Sequence, residues 1–70
     1  MDYINIIKIC RRARRSKEIS QEKVAFESHI AQSRISQFEN GYYSAMIAAW
    51  YYKNILSETE RAEIDENGGL

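Results

Sequence analysis

Proline is absent from this chain, glycine occurs three times, and cysteine and histidine occur once each. Without proline, no helix is broken from within by a missing N–H. Scarce glycine excludes a glycine-rich phosphate loop. Cys10 is the single cysteine, so no internal disulfide can form, and its place on an apolar helical stripe reads as a small core residue. His29 has no second histidine or cysteine pair beside it to complete a metal site. No serine has a base and an orienting third group in a recognisable pattern. Metal, cofactor and catalytic classes are therefore set aside, and the chain is not expected to be an enzyme. There is no apolar run of membrane-spanning length and no secretory leader pattern. A soluble protein of the cytoplasm is expected.

What is present is charge mixed with aliphatic residues at helical spacing. At 70 residues the chain makes one domain. A domain of this size buries only about 60% of the surface its unfolded chain exposes, which leaves no room for a deep pocket. Net charge is zero, but the halves differ. Residues 1–37 carry eight basic side chains against four acidic ones, and residues 38–70 carry two against six. Such asymmetry points to an anionic partner on one face.

The pattern predicts five helices. Tyr3, Ile6, Ile7, Cys10 and Ala13 form one stripe of a first helix over 2–16, capped by Asp2, with Ile4 and Ile9 off the stripe. Arg11, Arg12, Arg14 and Arg15 fill its last turns, where cations suit the helix dipole. Ser20 caps a short second helix over 21–27, Ser28 to Ile30 is a turn, and a third helix spans 31–38, stopped by Asn40-Gly41. Ser44 reads as the cap of a fourth helix over 45–55, with Ile47, Ala48, Tyr51 and Ile55 inward. Ser57 to Glu60 fits a capping box for a fifth. The expected folded unit is 1–64, with 65–70 a flexible tail. The fold class is a compact all-α domain.

The stretch Ser20 to Gly41 holds three glutamines and four serines, threaded by Val24, Ala25, Ile30, Ile35 and Phe38. Two short helices joined by a tight turn make a helix-turn-helix. The apolar residues fasten the pair, which leaves Gln21, Gln32, Ser33, Ser36 and Gln37 on the outer faces. Glutamine pairs bidentately with adenine in the major groove, and serine suits phosphate oxygens.

Ser20-Gln21-Glu22, Ala25, Ile30, Ile35 and Glu39-Asn40-Gly41 follow one another without a gap. In this the chain resembles the Cro and repressor family of temperate-phage regulators. The resemblance implies a lambda repressor-like DNA-binding domain. It implies that Gln21 meets the DNA backbone and braces the recognition helix, and that Gln32 and Ser33 read base edges. It further implies that Gln37 reads a base or a phosphate and that Asn40 holds a phosphate. Arg34 and Ser36 complete the DNA-facing set. An arginine of the first helix pairs with the glutamate before Asn-Gly in that family, which here means Arg14 and Glu39. Three positions depart from the family pattern. His29 stands at the usual turn glycine, Ala31 at the usual Ser or Thr cap, and Tyr42-Tyr43 in a loop that is often basic and longer.

Other features stay open between two readings. The arginine cluster is either a solvated face or, through Arg11, Arg12 and Arg15, a surface that approaches phosphates. Consecutive Trp50, Tyr51 and Tyr52 cannot all point inward. Tyr51 falls on the buried stripe, so Trp50 and Tyr52, with Tyr42 or Tyr43, are candidates for a homodimer contact. The expected function is sequence-specific transcriptional regulation: a phage or mobile-element repressor occluding a promoter, dimeric on a pseudo-palindromic operator in double-stranded DNA. The alternative is a helix-turn-helix that grips a protein partner, such as another regulator, a toxin or a host enzyme.

Overall fold

Asp2 opens the first helix by accepting a hydrogen bond from the Asn5 amide at 3.2 Å. In a computed structural model, which describes residues 2–69 apart from the side chain of Tyr43, α1 then runs over Tyr3–Ser16. It is followed by α2 (Gln21–Ser28), α3 (Gln32–Glu39), a 3₁₀-helix (Tyr43–Ala48), α4 (Ala49–Tyr52) and α5 (Glu58–Glu66). No strand occurs among the described residues, and no helix there is long and apolar enough to cross a membrane. The protein is all-α.

The core joins Ile6, Ile7, Ile9, Cys10 and Ala13 of α1 to Val24, Ile35, Phe38 and the Ala45–Tyr52 region, with Leu56 and Ile64 closing it. Burial pushes the Cys10 thiol up to about 12, helped by the nearby Glu39 and Glu60 charges, so it stays a protonated core atom. Ile4 is exposed as its place off the stripe predicts, but Ile9 is buried. The reason is α5. Ile9 lies one turn from Asn5 and from Arg12, and those side chains bond Asn67 and Glu63 respectively. The last helix therefore packs over this flank of α1 and extends the stripe.

Helix ends follow local chemistry. Ser20 caps α2 through the Lys23 amide at 3.0 Å, and Ser57 with Glu60 makes a capping box for α5. Three helices end in the same paired motif, in which the residue after the cap is left-handed. Glu18, Gly41 and Gly68 occupy that position, with φ of 56°, 91° and 102°. At α3, Gly41 N–H bonds the Phe38 carbonyl and Tyr42 N–H the Gln37 carbonyl, both at 3.0 Å. His29 also adopts a left-handed conformation, φ 60°, and turns the chain from α2 towards α3.

Two boundaries differ from the sequence reading. Instead of one α-helix over 45–55, a 3₁₀ segment leads into a single α turn, and Ser44 lies inside that segment and does not cap it. Ala45 and Ala48 are both fully buried and lie three apart, the spacing that a 3₁₀-helix superimposes on one side. Ile47 is thereby turned out and is 66% exposed, where a 3.6-residue period put it inside. The second difference is at the C-terminus. Asp65 and Glu66 continue α5, and the Asp2 amide donates to the Asn67 carbonyl at 2.8 Å, so the chain to Gly69 is tied to the start of α1. The remaining residue of the expected tail, Leu70, lies outside the described residues.

Ala31 has the extended backbone of a cap, φ −55° and ψ 139°, and no side chain to use it. Ala31→Ser is expected to stabilise the domain by about 1 kcal/mol. For a domain of this size that raises the melting temperature by roughly 4–8 °C. A variant that melts no higher than the parent would show that the start of α3 is satisfied in another way.

Candidate nucleic-acid interface

α3 is held from behind. Ile35, Phe38 and Glu39 are its buried residues, and they fall on one side of the helix. The other side carries Ser33, Ser36, Gln37 and Asn40, spaced by three and four residues, with Gln32 and Arg34 flanking them. Gln32, Ser33, Arg34, Gln37 and Asn40 are exposed and Ser36 is half-buried. Among the described residues, none of these six side chains makes a hydrogen bond or ion pair within the chain. The first turn of α3 thus offers an amide, a hydroxyl and a guanidinium in succession, and its last turn another amide and then Asn40.

Gln21 is different. It is half-buried, and its Nε2 donates to Glu39 Oε1 at 3.1 Å. The first residue of α2 is therefore bound to the last residue of α3, which fixes the angle between the two short helices.

Glu39 is the centre of this arrangement. Arg14 grips it with two parallel bonds, Nε to Oε2 at 2.6 Å and Nη2 to Oε1 at 2.9 Å, while Arg14 Nη1 donates to the Ile19 carbonyl. The pair is almost wholly enclosed, with side chains 9% and 2% exposed. Tyr52 donates its hydroxyl to Glu39 Oε2. Burial by itself would raise the Glu39 pKa, but the bonds from Arg14, Tyr52 and Gln21 overcome it and hold the carboxyl below its usual range. The bond to Glu39 raises the Arg14 pKa. Burial first, and then the adjacent carboxylate, raise that of the Tyr52 hydroxyl. One buried carboxylate so connects α1, α2, α3 and α4.

Tyr52 corrects the sequence reading. It is fully buried, its ring 5.0 Å from that of Phe38, and it has no surface to offer a second subunit. The α turn that follows the 3₁₀ segment rotates it inward. Trp50 is 51% exposed and shares the outer side with Ile47. Tyr51 is buried, and its hydroxyl donates to Glu27 of α2 at 3.0 Å. Tyr42 is exposed, and the Tyr43 side chain lies outside the described residues. The role of Tyr52 escaped the sequence because three consecutive rings can be sorted only when the pitch of the helix is known.

Arg12 is taken up by Glu63, bonded to both carboxylate oxygens at 2.9 and 3.0 Å. Arg11 leans the other way, and its Nη1 donates to the Glu39 carbonyl at 3.3 Å, next to Asn40. Lys8 and Arg11 border an open cleft with Asn40 and Gly41. No sequence signal connects the first helix to Asn40, although positions 8, 11 and 15 share a helical face.

No curated protein and no solved structure matches the chain. A helix-turn-helix family model matches residues 11–49, more than half of the chain, from the arginines of α1 through α2 and α3 to the start of α4. The backbone over that range contains the two-helix unit, with the outward polar face and the buried arginine–glutamate pair behind it. The chain belongs to the helix-turn-helix family of the Cro and repressor type, a family of DNA-binding regulators.

Proposed function

We propose that this protein is a sequence-specific transcriptional repressor of a phage or a bacterial mobile element. It acts in the cytoplasm by occluding a promoter, as a homodimer on a pseudo-palindromic operator. The observation that carries the reading is the uncommitted face of α3. Six polar side chains cluster there without internal partners in a domain that elsewhere satisfies its buried polar atoms. Buried groups behind the helix hold it rigid, which is what direct reading of base edges requires. Gln32 and Ser33, at the first turn, are the base readers. Gln37 and Ser36 lie one turn further. Arg34, Asn40 and the start of α2 at Gln21 serve the backbone. Trp50 and Ile47 supply the contact between subunits, since their exposed apolar surface has no use within one copy.

The test is selection of duplexes from a random pool, followed by affinity measurement on the recovered site. Recovered sites are expected to be inverted repeats with half-site centres one helical turn apart, about 10 base pairs. Gln32→Ala is expected to weaken that binding by about 1–3 kcal/mol and relax preference at one base position. Failure to enrich any sequence would sink the regulator reading. Recovery of lone half-sites bound by one protein would sink the dimer.

A second reading has one observation in its favour. Phe26 on α2 is 83% exposed, an unusual place for a large ring, and it favours a protein partner on that helix. A chain that enriches no duplex but is held by a partner protein through Phe26 would establish this reading instead.

A further inference from the structure

We infer that the outer face of α1, formed by Lys8, Arg11 and Arg15, is a phosphate-contact surface that continues from Asn40 along the DNA backbone. This rests on the reading of the protein as a DNA-binding one, and it adds a helix outside the two-helix unit to the footprint.

Ion pairs elsewhere in the basic half make this face stand out. Arg12 is bonded to Glu63, Arg14 to Glu39 and Lys17 to Glu60, and Lys23 lies 3.9 Å from Glu27. Lys8 and Arg15 have no carboxylate among the described residues, and Arg11 meets only a backbone carbonyl. Residues 8, 11 and 15 stand three and four apart, so their charges share one face and repel one another. The helix dipole accounts for Arg15 in the last turn but not for Lys8, in the middle of the helix. A row of like charges left unpaired is a net cost to the free domain, and an anion laid along it removes that cost.

The shape of the surface indicates which anion. Lys8 and Arg11 line two open clefts at once, one shared with Arg15 and Ser16, the other with Asn40 and Gly41. The basic row is therefore continuous with the end of the recognition helix. From Lys8 to Arg15 it extends about 10 Å at 1.5 Å per residue. A strand of B-DNA presents one phosphate per about 3.4 Å of axis, so the row is long enough to meet successive phosphates, whereas a free phosphate would fill only part of it. The Arg11 bond to the Glu39 carbonyl holds its side chain beside Asn40, so one strand can pass from Asn40 to Arg11 and on to the rest of the row.

The test uses the full chain and the duplex enriched from the random pool, with affinity measured from 0.1 to 0.4 M salt. Each phosphate contact contributes about −0.9 to the slope of log affinity against log salt. The variant carrying Lys8→Gln and Arg15→Gln is expected to lose about 1.8 from that slope, which corresponds to about sixtyfold weaker binding at 0.1 M salt. Base preference is expected to stay parental and the melting temperature not to fall, because both side chains are exposed and their loss relieves the repulsion along the row. Arg15→Lys should keep the slope. Lys53→Gln, in a separate cleft with Arg61, should also leave it unchanged. A double variant with the parental slope overturns the inference and leaves the regulator reading standing. An equal loss in Lys53→Gln overturns it too, since net charge would then be the cause. If the parent binds no duplex at all, both readings fall.

Discussion

Glu39→Ala is expected to cost about 3–5 kcal/mol, the penalty for leaving one member of a buried ion pair uncompensated. A domain of this length has a total stability of about 4–10 kcal/mol at 0.05–0.15 per residue. The variant should therefore be largely unfolded at 37 °C. Three donors lose their acceptor together: the Arg14 guanidinium, the Tyr52 hydroxyl and the Gln21 amide. The cost comes from the stranded charge and not from a large net gain in the parent, and a further variant separates these. Replacing both Arg14 and Glu39 with Met and Leu should recover much of the loss, because no charge is then left buried. Urea denaturation followed by circular dichroism reads both. An unchanged midpoint in Glu39→Ala would show that the pair has no structural role.

The same carboxylate gives the protein an acid limit. Its folded pKa is held below the ordinary value by bonds that outweigh the opposing effect of burial. Its stabilisation is therefore complete above the unfolded value near pH ~4.3 and is lost as pH falls through the lower folded value. Glu39→Gln has no such proton to gain. Its stability should fall less steeply with acid in that window than that of the parent, and equal acid slopes would remove Glu39 from the account.

Much of the fold is legible in the sequence because the signals are local. Ser20, Ser57 and Asp2 are caps whose side chains bond amides three residues on, and such bonds need no tertiary information. The apolar stripes of α1 and α3 follow the helical period, so most of the core could be named. The uncommitted face of α3 follows by subtraction from its stripe. Failures arose where a distant element decides the outcome. Ile9 is buried by α5, some fifty residues away in sequence. Ile47 is exposed because the chain between Tyr43 and Ala48 takes a three-residue period, and apolar composition alone does not choose between that and 3.6. The inward turn of Tyr52 is hidden from the sequence for the same reason, since a small change of pitch decides which of three consecutive rings meets Phe38. The pairing of Arg14 with Glu39 was reached by resemblance, and no local rule links residues so far apart. Its two further partners, Gln21 and Tyr52, depend on the packed structure.

Phe38→Ala is expected to be as damaging as the loss of Glu39. The ring is fully buried in the last turn of α3 and packs on Tyr52 at 5.0 Å, tilted by 38°. Truncating a buried phenylalanine loses its transfer free energy and leaves a cavity, together about 3–5 kcal/mol. The site also bears on recognition, because Tyr52 is held by its ring through Phe38 and by its hydroxyl through Glu39. These consecutive residues of α3 thus grip one side chain of α4. Losses at Phe38 and Tyr52 should be strongly non-additive, with an interaction energy of about 0.5–3 kcal/mol in a double-mutant cycle. Affinity for a duplex enriched from the random pool should fall in proportion to the folded fraction, since only the folded chain presents the face of α3. Measuring binding at low temperature, where the folded fraction is larger, separates the two effects. Parental affinity after correction for that fraction means that Phe38 acts through folding alone. A residual loss means that the ring also sets the tilt of α3 against the groove. A Phe38→Ala protein with the parental melting temperature would overturn the assignment of this ring as the anchor of α3.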